Sequence, residues 1–272
     1  PGESTGGNLV INTKTFPDEP FFDLSVQVGG VTGLTFDSVA TDSLEGDFDA
    51  LGWDDGTREE DVAVSTIAEA LRLGTVTDSN GNTFRVDSNV GGQLRRAAGL
   101  LLMDGWDAST GTANPAVDAG VSAGDIFYIG DAELGYFAAG SYSNSWGQRE
   151  QGVRRTYGGG SDILADDFRF ETVTNNIEAS GLLSVGLGIG DSTYEWNNVV
   201  SRVTDSFVER YVGVEGDEFR SVVGTNIQWE ERQYASTQLS GSHFLNEAGS
   251  VFLEWQATAS QAERDVPDRR SS

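Results

Sequence analysis

Between residues 177 and 189 the chain reads IEASGLLSVGLGI, and every second position is apolar or glycine: Ile177, Ala179, Gly181, Leu183, Val185, Leu187 and Ile189. The positions between them are mostly small or polar, among them Glu178, Ser180, Ser184, Gly186 and Gly188. Successive side chains of a β-strand point to opposite faces, so this period predicts a strand with one apolar face. The alternation runs for thirteen residues without a break. Strands of globular proteins run to about five or six residues, whereas a strand that crosses a bilayer needs about 9–11. The length predicts a membrane-spanning strand.

Six further segments carry the same period less cleanly: residues 22–28, 117–123, 135–146, 194–207, 228–244 and 251–257. In the first, Phe22, Leu24, Val26 and Val28 alternate with Asp23, Ser25 and Gln27. Seven strands follow, and the expected fold class is all-β, antiparallel. Three connections are short, at 130–135, 190–193 and 245–250. The others are long and polar, at roughly 30–115, 147–168 and 212–220. Short turns on one rim and long loops on the other are the habit of outer-membrane barrels. With the short turns periplasmic, the first strand runs outward and the directions alternate through all seven. The alternative is a soluble antiparallel sheet with decorated loops.

The 30–115 loop is predicted to hold short helices at 64–72 and near 93–103, where Leu94, Ala97, Ala98, Leu101 and Leu102 share a face. It is acidic, with fifteen Asp and Glu against five Arg between residues 32 and 113. Asp78, Asn80 and Asn82 have the oxygen-ligand rhythm of a calcium loop, yet its twelfth position would be Asn89 rather than Glu. An Asn-Gly turn is the better reading. Residues 53–58 (WDDGTR) likewise read first as a turn.

Composition narrows the chemistry. With no cysteine and a single histidine, His243, disulfides, thiolate catalysis and His/Cys zinc sites are excluded. A net charge of −26 leaves no basic face for nucleic acid. No run of about 18 apolar residues exists, so no transmembrane helix is predicted; the most apolar block, residues 97–103, is far shorter. The 43 acidic residues make accidental carboxylate pairs certain, and none falls in a convincing glycosidase-type motif. No catalytic residue, metal ligand or cofactor is expected, and the chain is not read as an enzyme. Both ends, with proline first and Arg269, Arg270, Ser271 and Ser272 last, read as cut rather than native.

Residues 6–14 (GGNLVINTK) resemble the junction where the plug of a TonB-dependent outer-membrane receptor passes into its first barrel strand, and 16–22 (FPDEPFF) resemble the entry to that strand. Residues 51–58 (LGWDDGTR) are similar to a G-F-D-D-G-T-R motif in the first outer loop of large proteobacterial members. Residues 135–146 resemble their third strand. Later strand signatures are similar to 180–183 (SGLL), 228–233 (QWEERQ) and 237–239 (TQL), and 262–270 (AERDVPDRR) look like the outward end of the seventh strand. The matches fall in family order along the chain, although nothing resembles the TonB box or the terminal aromatic strand.

The resemblance implies residues 1–15 as the end of the plug and 16–272 as about seven strands of a 22-stranded transmembrane barrel. It implies TonB-dependent import of a scarce nutrient, such as a siderophore or carbohydrate, across the Gram-negative outer membrane, with no covalent chemistry. The expected partners are the remaining plug and barrel strands, the TonB complex through a segment outside these residues, outer-membrane lipid and a small-molecule ligand held by outer loops and the plug apex. No ligand-binding residue is singled out. Leu24, Val26, Leu183, Val185, Leu187, Leu253 and Trp255 are expected to face lipid, and Asp23, Gln27, Glu178, Glu254 and Gln256 the lumen. Tyr136, Trp146, Tyr194 and Trp196 fit aromatic girdles or ordinary sheet packing equally. Both outer strands are expected to need further strands as neighbours. The rival reading is an acidic β-rich adhesin or surface structural protein without transport activity.

Overall fold

In the computed structural model, residue 17 and residues 19–59, 61–78, 80–102, 105–158, 164–215, 220–245 and 251–272 are described. The expected end of the plug, residues 1–15, lies outside the described residues, as does most of the expected turn at 245–250. The chain runs β1 (Phe21–Gly29), β2 (Ser38–Thr41), a 3-10 turn (Asp49–Leu51), α1 (Val62–Leu73), β3 (Thr75–Thr77), β4 (Thr83–Arg85), α2 (Ser88–Leu101) and β5 (Ser109–Thr112). It continues with β6 (Ala116–Ile129), β7 (Ala132–Tyr157), β8 (Leu164–Ile189), β9 (Ser192–Glu215), β10 (Arg220–Phe244) and β11 (Phe252–Ser271). Seven of these form one antiparallel sheet in the order β1-β6-β7-β8-β9-β10-β11. Strands that follow one another in the sheet are neighbours in it, as a meander of hairpins requires. Among the described residues the sheet is open, with β1 and β11 each paired on one side alone.

All seven expected strands are present, and most are longer than their periodicity announced. Residues 147–168 and 212–220, expected as long outer loops, are largely strand: β7 runs on to Tyr157, β8 begins at Leu164, β9 ends at Glu215 and β10 begins at Arg220. In the outer part of β7 (GQREQGVRRTY) both faces are polar, so no apolar period marks the strand. Pairing with β8 specifies it instead, and cross-strand contacts such as Arg155 Nε to Asp167 Oδ1 at 3.0 Å reinforce it. Outer β10 and β11 are tied in the same manner by Arg264 Nε to Glu230 Oε1 at 2.7 Å.

The short turns are tighter than expected. Ile129 pairs with Ala132, and Ile189 with Ser192, so each hairpin turns on two residues, Gly130-Asp131 and Gly190-Asp191. Gly130 (φ 64°) and Gly190 (φ 56°) take the left-handed region that a two-residue hairpin of right-twisted strands demands at its first central position.

The 30–115 segment has one part that lies on the sheet, the β2–β5 ribbon with the 3-10 turn, and another in which α1 packs on α2 beside the β3–β4 hairpin. Both helices start earlier than their apolar period because aspartates cap them. Asp61 accepts from Ala63 N at 2.8 Å, and Asp87 accepts from Asn89 N and Val90 N at 2.9 and 2.8 Å. The segment at 78–82 is the expected turn: Asp78 accepts from Asn80 N and Asn82 N, and Gly81 has φ 85°. Leu34, Val39, Ala40 and Ala113 of this insert pack on Val173, Val208 and Ile227 of the sheet, and that is the main core of the described structure.

Replacing Gly130 or Gly190 with valine should cost about 1–2 kcal/mol each, the price of a left-handed L-residue. The turns share no partners, so the double variant should lose about the sum. Denaturant unfolding of the folded protein measures both.

Candidate functional site

The register sorts the predicted positions onto two faces. Counting from Ile177 through the pairings of all seven strands, Leu24, Val26, Leu183, Val185, Leu187, Leu253 and Trp255 fall on one face, and Asp23, Gln27, Glu178, Glu254 and Gln256 on the other. The apolar face has two regimes. Near the short turns it is open: Leu24 is 68% exposed, Val200 53% and Leu253 46%. Toward the long connections the same face is covered by the insert, and Val173, Ile177, Val208, Ile227 and Trp229 are buried. Of the expected girdle aromatics, Tyr136, Tyr194 and Trp196 lie on the open part. Trp146 does not, because it packs on the flank of the covered core. Trp255 belongs to an aromatic group at the short-turn rim, where its indole N–H donates to His243 Nε2 at 2.8 Å and Tyr194 meets the imidazole edge-on at 5.1 Å.

Guanidinium groups gather at the seam between insert and sheet, and two of them are nodes. Arg58, from the 53–58 turn, is wholly enclosed and donates to Asp42 (2.9 Å), Asp49 (2.6 Å) and Asp54 (3.1 Å) while stacking 3.9 Å over the Trp229 ring. Burial works to lower its pKa, but the hydrogen bonds and negative charge of Asp49 and Asp42 outweigh this and hold it above its ordinary value. Asp42 also accepts from Arg270 at the end of β11, which donates in turn to Asp268 at 2.8 Å. Burial pushes the Asp268 carboxyl above the usual carboxylate range against the opposing pull of Arg270. The second node is Arg202 on β9, which donates to the Gly52 carbonyl (2.7 Å), to Gln233 (3.1 Å) and to Glu231, and lies 4.3 Å from the Trp53 ring centroid. Thr204 Oγ1 donates to the same carbonyl at 2.7 Å. Gly52 has φ 76°, and a Cβ there would meet Thr204 Oγ1 at 3.0 Å and Ile177 Cγ2 at 3.2 Å, so both the turn and the close seat require glycine.

Two recesses flank these elements. One of about 270 Å³ lies between the insert and the sheet and is lined by Asp42, Asp49, Arg58, Asn144, Asn175 and Trp229 among others. Another, of about 470 Å³, opens on the polar face between β9, β10 and β11, lined by Thr193, Glu195, Ser240, Ser242, Glu254 and Gln256 among others. Both offer carboxylate, amide and hydroxyl groups suited to hydrogen-bonding a polar solute. Among the described residues no three His, Cys, Asp or Glu side chains are grouped to hold a metal ion.

Residues 53–58 read in the sequence as a plain turn, and their role as the clamp is not evident there. The available signal was Arg58 itself, the only basic residue between Lys14 and Arg72, set among Asp42, Asp47, Asp49, Asp54 and Asp55. Arg202, Glu231, Asp268 and Arg270 gave no comparable signal, since each sits in a strand rich in charge.

Arg58→Met should leave Asp49 and Asp54 without their cation and Asp42 with Arg270 alone, at a cost of about 3–5 kcal/mol. Arg58→Lys should lose less, because an ammonium keeps the charge but neither the three-way fork nor the stacked plane. Cleavage by a glutamate-specific protease at Glu45 and Glu59 reports release of the insert, and the expected order of rates is Met, then Lys, then the parent. No family model, curated protein or solved structure matches the chain.

Proposed function

We propose that the chain is part of a TonB-dependent receptor, contributing about the first third of the barrel wall through which a scarce nutrient is imported across a Gram-negative outer membrane. One observation carries the membrane part of this reading. On the apolar face, from the short-turn rim up to the row of Gly181, Val200 and Gln261, Asp125 is the only Asp, Glu, Lys or Arg among the described residues, in a chain that is 22% charged. Its carboxylate turns back onto the backbone N–H of Ile126 at 2.7 Å. A solvated sheet face has no physical reason to exclude charge so thoroughly, whereas a hydrocarbon-facing one does.

Three further features support it. The opposite face carries Asp23, Glu178, Glu195, Gln238, Glu254 and Gln256, as the wall of an aqueous lumen would. Two-residue turns gather at one rim and the long insert at the other. The order of sequence resemblances along the chain supplies the receptor class. On this reading the recess beside Glu195, Glu254 and Gln256 opens into the lumen, and transport rests on shape and hydrogen bonding with no bond made or broken. The siderophore or carbohydrate, the TonB complex and the remaining strands and plug are the partners it requires.

Because the chain has no cysteine, single thiols report facing cleanly. On intact cells, Tyr157→Cys should react with a membrane-impermeant maleimide and Asp191→Cys should not. Labelling of Asp191→Cys from outside would overturn the orientation, and extraction of the whole protein without detergent would favour the acidic adhesin instead. Val185→Arg, near the middle of the band, should destabilise the folded protein in bilayers by about 2–4 kcal/mol, measured by urea unfolding in lipid vesicles.

A further inference from the structure

An outer loop of a receptor is expected to roof the lumen, but the insert between β1 and β6 lies on the other side of the sheet. Its described contacts all fall on the apolar face: the core cluster on Val173, Val208 and Ile227, Arg58 on Trp229, Gly52 on Arg202 and Thr204, Asp54 N on Glu231, and Arg210 on the carbonyls of Ala108 and Ser109. No bulge interrupts the β8–β9 pairing along its length, so this is the same face that is open and apolar below. If the open part meets lipid, the insert hangs on the outside of the wall.

The position of each contact along β8 fixes how far down it reaches. The core cluster sits at Val173, Arg58 and Trp229 lie across from Asn175, and Gly52 sits at Ile177. Lowest of all is the turn at 50–53. Tyr142 donates its hydroxyl to the Ala50 carbonyl, and Trp53 lies against Arg202, and both Tyr142 and Arg202 pair with Ala179. From Ile189 to Ala179 the strand takes roughly ten steps, which at about 3.4 Å per residue and a tilt of about 45° gives about 24 Å. A lipid-facing barrel band is about 25 Å tall. The turn therefore sits at the height where hydrocarbon gives way to head groups.

Its surface suits that height. Leu51 is 52% exposed and Trp53 47%, and the next position down this face of β9, Val200, is 53% exposed, so the turn continues the open band upward. Tryptophan, with an apolar body and one N–H, is the side chain enriched at such interfaces. The carboxylates that flank the turn, Asp49 and Asp54, are both paired with Arg58, and the exposed Asp55 beyond them accepts from the backbone N–H groups of Asp47 and Thr57.

We infer that residues 50–53 form an interfacial anchor through which the insert rests on the outer leaflet, an outer-wall collar rather than a lid over the lumen. This rests on the barrel reading, and the test separates the two. The whole receptor, carrying a bimane-labelled cysteine at one position, is reconstituted in phosphatidylcholine vesicles with and without brominated acyl chains. Val185→Cys reports the band, Leu51→Cys the turn and Tyr157→Cys the far end of β7. The expected loss of fluorescence is large at 185, intermediate at 51 and absent at 157. Quenching at 185 with none at 51 overturns the anchor and leaves the barrel intact. Absence of quenching at 185 removes the barrel reading and the anchor together.

Discussion

Register across β8 and β9 is the constraint on which the molecule depends. The two strands pair from Asp166–Glu215 to Ile189–Ser192 without a bulge. Because side chains alternate with period two, a slip of one residue would exchange every apolar position with its polar neighbour. The unbroken pairing keeps Ile177, which the insert covers, in phase with Leu183, Val185 and Leu187, which it does not. The irregularities that do occur lie elsewhere, between Arg149 and Gly152 and between Thr156 and Tyr157 in the β7–β8 pairing, and between Trp229 and Glu231 in the β10–β11 pairing. All three are in the outer part of the sheet, beyond the open band.

One face thereby serves two environments. Its lower part is apolar and nearly free of charge. Its upper part mixes buried hydrophobic side chains with Arg202, Glu231, Asp268 and Arg270, which serve as docking points for the insert. The docking is electrostatic where it is most specific. Arg58 gathers three carboxylates of the insert and lies on the Trp229 indole, while Arg270 meets Asp42 and Arg202 meets the Gly52 carbonyl across the interface, which fixes the insert's orientation more sharply than the Leu34–Val173–Ile227 packing alone could. The same arrangement answers why so acidic a segment can pack on a sheet at all: three of its aspartates converge on a cation of the segment itself, which lies over Trp229 of the sheet.

For the proposed receptor the consequence is a division of labour between the two faces. The polar face, with its recess at Glu195 and Glu254, is the one available to a solute in the lumen. The apolar face carries the lipid contact and, above it, a collar held by Arg58 and Arg202. The long acidic connection is on this view a structural element of the wall, and recognition of the nutrient falls to the lumen side and to elements beyond those in this sheet.

The sequence by itself determined the seven strands, the two helices, the Gly-Asp turns and the face on which each of twelve named side chains lies. These follow from periods of 2 and 3.6 residues and from local capping, which neighbouring positions encode completely. It did not reveal the outer halves of β7 and β8, where Gln148, Arg149, Arg154 and Arg155 leave no apolar period and pairing with the adjacent strand does the specifying. Nor did it reveal the partners of Arg58, Arg202 and Arg270, or the side of the sheet that the insert takes. Arg270 reaches Asp42 across 228 residues and Arg202 reaches Gly52 across 150. Only the tertiary structure decided those contacts, because which of many charges meet depends on where a whole subunit of the fold lands, and no local pattern carries that information.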